Sequence, residues 1–125
     1  MTKYKVLVCG GREFDDWNLL DSTLLSQLDG KDFSSVYIIE GEAKGADFLA
    51  RVWAKYRGIP NKNVLRFYPD WKKYGYHAGH TRNQQMLDEG KPDLVIAFPG
   101  GTGTADMVRR SKEFGVKVLE VAKEY

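Results

Sequence analysis

A chain of 125 residues, 42% hydrophobic and 29% charged, is long enough to bury a core without disulfides or a structural metal, and is expected to form one domain over residues 1–125. The formal charge of +2 comes from 19 basic and 17 acidic residues spread along the chain, so no continuous basic face suited to a DNA backbone is evident. Nucleic acid is therefore not an expected partner, whereas small anions are. No apolar run approaches the roughly 20 residues that span a bilayer, which removes membrane roles. The lone Cys9 cannot form an internal disulfide and reads as a core residue. Met1 leads straight into an apolar run with no signal-peptide pattern, so cytoplasmic residence is the expectation.

Tyr4 to Cys9 is an apolar, β-branched run closed by Gly10-Gly11, the pattern of a buried strand. Trp17, Leu20, Leu24, Leu25 and Leu28 then recur at helical spacing, with Asp15 or Asp16 as cap and Gly30 as stop. Val36 to Ile39 is a second strand, and Ala46, Leu49, Ala50, Val52 and Trp53 mark the apolar face of a second helix ending near Gly58. A third strand is predicted over Val64 to Phe67, followed by an irregular aromatic stretch, Tyr68 to Tyr76, before helix-forming residues resume over Gly79 to Leu87. Asp93 to Phe98 reads as a fourth strand, Pro99 to Gly103 as a glycine turn, Thr104 to Phe114 as a fourth helix and Val116 to Val121 as a last strand.

Strict alternation of strands and helices implies an α/β Rossmann-like domain: a five-stranded parallel sheet, order 3-2-1-4-5, with helices on both faces. In that order the chain reverses between strands one and four, so the loops GGR and PGGTGT flank the crevice where such folds bind ligands. Gly100, Gly101 and Gly103, with Thr102 and Thr104, would let backbone amides and a helix N-terminus approach a phosphate; a turn needing glycine for its own geometry is the plainer alternative. Gly10, Gly11 and Arg12 form a second arm, with the guanidinium able to grip phosphate or carboxylate or simply to face solvent. Gly41, Gly45, Ala46 and Asp47, within GEAKGAD, repeat the design after strand two, with helix capping the plain role for Asp47. Arg82 and Asn83 lie early in the third helix and are expected to face the sheet's carboxyl edge.

Asp106 is a candidate general base or ribose acceptor, although helix-dipole stabilisation accounts for it nearly as well. Glu13, Glu42, Asp47 and Asp70 are further loop carboxylates able to reach the crevice. Trp71 and Tyr74, in a stretch that also holds Tyr76 and His77, are candidates to stack on a base; the same loop would serve as a lid or a subunit contact, which leaves a homo-oligomer open. His77 and His80 have a spacing compatible with a metal, but no cluster completes a site, so neither metal nor cofactor is expected. Neither a dinucleotide GxGxxG after strand one nor a Walker lysine motif is present.

The segments GGREF, GEAKGAD with a following WA, DWKKYG, AGHTRNQQM and FPGGTGTADMV together resemble the YspA-like (cpYpsA-related) SLOG family over nearly the whole chain. The resemblance implies a Rossmann-like nucleotide-binding domain of the kind frequent in phage and bacterial genomes. More distantly, RNQQM followed by PGGTGT is similar to the RK-x-x-M and PGGxGTxxE motifs of the LOG phosphoribohydrolases, which cleave the base from a nucleoside 5′-monophosphate. That likeness puts Arg82 at their active-site arginine, while their closing glutamate falls on Met107, with Asp106 beside it as the available carboxylate. GEAKGAD is also similar to the GxARGID turn of DprA, a DNA-processing relative. The expectation is accordingly a module that binds a nucleotide or nucleotide-derived small molecule, ahead of a nucleotide N-glycosidase using Asp106 and Arg82, and ahead of a single-stranded DNA binder.

Overall fold

A computed structural model describes residues 2–122. Five strands, β1 (Tyr4–Cys9), β2 (Val36–Glu40), β3 (Val64–Arg66), β4 (Leu94–Ala97) and β5 (Lys117–Glu120), form one sheet in the order β3-β2-β1-β4-β5. Every pairing is parallel, with Val6 opposite Ile38 on one side and opposite Leu94 on the other, as the alternating sequence pattern requires. Helices α1 (Trp17–Gln27), α2 (Ala46–Tyr56), α3 (Trp71–Tyr74), α4 (Ala78–Gly90) and α5 (Thr102–Phe114) connect them.

Successive side chains of a strand point to opposite faces, and this divides the core in two. Val6, Val8 and Ile38 pack with Leu20 and Leu24 of α1 and with Ala50 and Trp53 of α2. Leu7, Cys9, Ile39 and Val95 pack beneath Met86 and Leu87 of α4 and Met107 of α5. Cys9 thus belongs to the core, and burial pushes its thiol pKa far up, with nearby Asp47 adding to the rise. No helix among the described residues is long and apolar enough to cross a membrane.

Some local expectations are met and others revised. Asp16 caps α1, its Oδ1 accepting the Leu19 amide at 3.0 Å. The buried face of α2 is Ala46, Ala50, Trp53 and Ala54, the i, i+4, i+7, i+8 pattern. Val52 lies off that stripe at 39% exposure, and Leu25 of α1 is similarly uncovered. The aromatic stretch is not irregular: Asp70 accepts the Lys73 amide at 3.1 Å and starts α3, and a helical turn over Gly75–His77 leads into α4. Helix α5 begins at Thr102, two residues before the predicted start, because Gly103 adopts helical geometry and only Gly100 and Gly101 stay outside it.

Candidate functional site

The loops after β1, β2 and β4 meet at the carboxyl edge of the sheet, where the chain order reverses. Backbone bonds join them: the Gly11 amide donates to Pro99 O at 2.9 Å, and the Ala46 amide to Gly11 O at 3.3 Å. Such close joining excludes side chains. A Cβ on Gly10 would lie 2.7 Å from that of the buried Ala46; one on Gly11 would meet Pro99 O at 3.0 Å; one on Gly100 would overlap Thr104 and the Gly11 amide. Gly45, at φ 77°, presses against the Gly11–Arg12 backbone and is the N-cap of α2. These four glycines are accounted for by loop packing. Gly101 and Gly103 are not: a Cβ at either would meet nothing within 4 Å.

Gly101 and Gly103 border a cleft of about 390 Å³, which also receives Gly10, Gly11, Arg12, Asp47, Trp71, Arg82, Asn83, Thr102 and Thr104 from the expected set. Among the described residues no side chain caps α5, and Gly101, Thr102, Gly103 and Thr104 at its start line the cleft. Gly41, Gly45, Ala46 and Gly100 act from behind the wall, and Tyr74 and Asp106 lie outside it. Two broader grooves, of about 540 and 830 Å³, run beside β5 and outside α4, but neither is lined by a buried charged group.

Arg82 is the half-buried cation of the cleft. Its Nη1 donates to Gly41 O and its Nε to Asn83 Oδ1 at 3.2 Å, and among the described residues it makes no ion pair within 4.0 Å. Burial lowers its pKa, against the opposing pull of Asp47 and Glu40. Arg12 reaches the cleft from the exposed β1–α1 loop. Asn83, itself buried, is held through Nδ2 by Gly103 O at 3.3 Å and by Asp106 Oδ2 at 3.1 Å.

Asp106 does not line the cleft. Its oxygens take Arg109 Nη2 at 2.9 Å and Arg110 Nε at 2.8 Å in addition to Asn83. Burial alone would raise its pKa, but these donors outweigh burial and hold the carboxyl below its ordinary range. Asp47 is the carboxylate that does line the cleft, at 6% exposure. It does not cap α2; its Oδ2 accepts the amides of Gly41 at 3.0 Å and Ala43 at 3.2 Å and so shapes the β2–α2 loop. Burial pushes its pKa up to about 6 despite those bonds and Arg82. Of the other loop carboxylates, Glu42 pairs with Arg66, Asp70 caps α3, and Glu13 is exposed outside the cleft.

Sequence reasoning did not single out Cys9, Ala43, Gly79 and Met86 as cleft residues; it saw Tyr76 only as part of the aromatic stretch, Met107 only as the position of the missing glutamate and His80 only as a metal candidate. It also passed over Glu40, fully buried at the end of β2 and paired with Arg51 at 3.1 Å and Arg66 at 3.4 Å. A charge closing an apolar strand run was the available signal for it. No group of three His, Cys, Asp or Glu side chains converges among the described residues. Tyr76 stands at the rim, 86% exposed, its ring 4.2 Å from that of His77.

The whole architecture is similar to two solved structures. DNA processing protein A from Helicobacter pylori, which binds single-stranded DNA, superposes with a TM-score of 0.72 at 15% identity over 98% of this chain and 67% of that one. The C-terminal domain of the PF1911 hydrogenase from Pyrococcus furiosus superposes with a TM-score of 0.52 at 16% identity over 97% of this chain and 94% of that one. At these identities the likeness is one of fold. No curated protein matches the sequence. Residues 4–74, more than half of the chain, match the YspA, cpYpsA-related SLOG family, from the first glycine loop through GEAKGAD to the aromatic α3, and the chain belongs to that family.

Proposed function

We propose that the chain binds a nucleotide or nucleotide-derived ligand through its phosphate, in the cleft between the β1–α1 loop, the N-terminus of α5 and Arg82. The observation that carries this is Arg82: a half-buried guanidinium without an ion-pair partner among the described residues, on the same cleft as the uncapped first turn of α5. Anions are favoured where unpaired amides, a helix dipole and a guanidinium converge, and partial burial strengthens each of these over its worth in water. Trp71 and Tyr76 on the same cleft offer faces for a base. Membership of a SLOG family agrees with a nucleotide-related role.

An N-glycosidase that depends on Asp106 receives less support, because that carboxylate does not line the cleft and both its oxygens are engaged by Asn83, Arg109 and Arg110. Single-stranded nucleic acid is a second reading, favoured by the likeness to DNA processing protein A and by the exposed aromatic rim. Calorimetric titration with mononucleotides, cyclic and linear dinucleotides and a short oligonucleotide tests the proposal. Saturable binding of a small phosphorylated ligand, weakened by Arg82→Ala, supports it. Binding of the oligonucleotide alone, or affinity indifferent to Arg82, overturns it.

A further inference from the structure

Asp47 carries a feature that its loop-shaping bonds do not use. Oδ2 takes both backbone amides, and Oδ1 has no hydrogen-bond partner among the described residues. Oδ1 also keeps some solvent contact, because the only fully enclosed side-chain nitrogen or oxygen lacking a partner among the described residues is Oδ1 of Asn63, and Asp47 itself lines the cleft. A buried carboxylate with an idle oxygen facing a cleft is costly unless a donor arrives to occupy it.

Gly41 links this carboxylate to the cation of the cleft. Asp47 accepts that residue's N–H while Arg82 donates to its C=O, so carboxylate and guanidinium are held on the two ends of one residue. That interval is on the order of 3.5 Å of chain plus two hydrogen bonds. That spacing suits a sugar attached to a phosphate on Arg82 better than it suits the more distant base. Resting on the phosphate reading above, we propose that Asp47 Oδ1 accepts a hydroxyl of the sugar that carries the bound phosphate, so that the cleft selects hydroxylated sugar phosphates over deoxygenated ones.

The charged and titratable groups around Asp47 are Glu40 of β2, Cys9 of β1, Arg82 of α4 and, through Arg82, Arg12 of the β1–α1 loop. None of them can replace the acceptor. Glu40 is committed to Arg51, Arg66 and the Glu42 amide, and burial keeps Cys9 a thiol.

The test uses probes without a base: inorganic phosphate, methyl ribofuranoside 5-phosphate and its 2,3-dideoxy counterpart, titrated into the full chain by NMR. The wild type is expected to bind the hydroxylated probe about tenfold more tightly than the dideoxy one, the scale of a hydrogen bond to a charged group. Asp47→Asn should bring the two probes near parity while inorganic phosphate binds as well or better, since a nearby negative charge has gone. A loss of all three probes together would instead assign Asp47 a purely structural role and overturn the proposal. Should Asp47→Asn fail to fold, the wild type alone decides: the preference must shrink as the pH is lowered through about 6, where Asp47 takes up a proton. Equal affinity of the wild type for both sugar probes overturns the hydroxyl assignment and leaves phosphate binding intact. If inorganic phosphate and both sugar phosphates fail to bind, the phosphate reading falls and this one with it.

Discussion

The guanidinium of Arg82 lies across the Cα of Gly41, so close that a methyl group there would sit 2.6 Å from Nη1. The same nitrogen donates to the Gly41 carbonyl. Glycine at 41 is thus the seat of the arginine, and the two should be functionally inseparable. Replacing Arg82 with alanine is expected to cost a phosphorylated ligand about 1.5–3 kcal/mol, the value of hydrogen bonds to a charged group. Gly41→Ala should cost a large part of that amount with Arg82 still present, because the flexible guanidinium yields before the backbone does. The nucleoside lacking phosphate should bind both variants and the wild type alike. Equal losses for nucleoside and nucleotide, measured by calorimetry, would show a general disturbance of the cleft instead.

The glycines of the site divide into two groups with opposite expected responses. Gly103 sits in the first turn of α5 with open space at its Cβ, so Gly103→Ala should stabilise the fold by about 0.5–1 kcal/mol through helix propensity. It should also weaken ligand binding, since the new methyl group stands where a phosphate would approach the amides. Gly45→Ala meets a φ of 77° and the Gly11–Arg12 backbone, and is expected to destabilise by more than about 1 kcal/mol. Thermal denaturation paired with ligand titration separates the two. A Gly103→Ala protein that is stabilised and binds normally would remove the backbone of α5 from the site.

Most of the fold was legible because the strands are continuous apolar runs between glycine punctuation, and two-faced burial leaves parallel order as the economical arrangement. The switch point followed from that order alone, and it brought GGR and PGGTGT together. What stayed illegible depended on distance through space. Asp47 has the type and position of a capping residue, and only the curl of the β2–α2 loop turns it onto the amides of Gly41 and Ala43. Asp106 stands beside the glycine-rich PGGTGT turn, but one helical turn onward Arg109 and Arg110 claim it. Tyr74 and Tyr76 are two residues apart, and the short α3 with its following turn sends one outside the cleft and the other to its rim.

Asp106 also separates binding from catalysis. With its oxygens shared among Asn83, Arg109 and Arg110, its expected work is to hold Asn83, which in turn accepts from Arg82 Nε. The wild type should therefore bind nucleoside monophosphates without releasing the base, as followed by chromatography over hours. Asp106→Asn should lower stability by about 1–3 kcal/mol, as two arginines lose a charged partner, and change phosphate affinity only a few-fold. Base release by the wild type that disappears in Asp106→Asn would restore the glycosidase reading with Asp106 at its centre.

Asp47 should leave a signature in the pH dependence of stability whose sign differs from that of most carboxylates. Burial raises its folded pKa to about 6 from an ordinary value near 3.8, so the native state holds the proton more tightly than the unfolded chain does. The stabilising contribution of the protonated form is complete below about pH 4, shrinks as the pH rises and is gone above the folded pKa. Across that window the loss amounts to roughly 2–3 kcal/mol, two units at 1.36 kcal/mol each. Asp106 runs the other way, since its depressed pKa supplies stability at neutral pH that is lost in acid. The clean measurement is consequently the difference between wild type and Asp47→Asn in chemical denaturation from pH 4 to 7.5. The wild type should lose stability relative to the variant as the pH rises, and most of the change should fall between pH 4 and 6.5. Parallel curves would mean that the Asp47 carboxyl is solvated as an ordinary surface carboxylate, and its standing as a buried acceptor in the cleft would go with them.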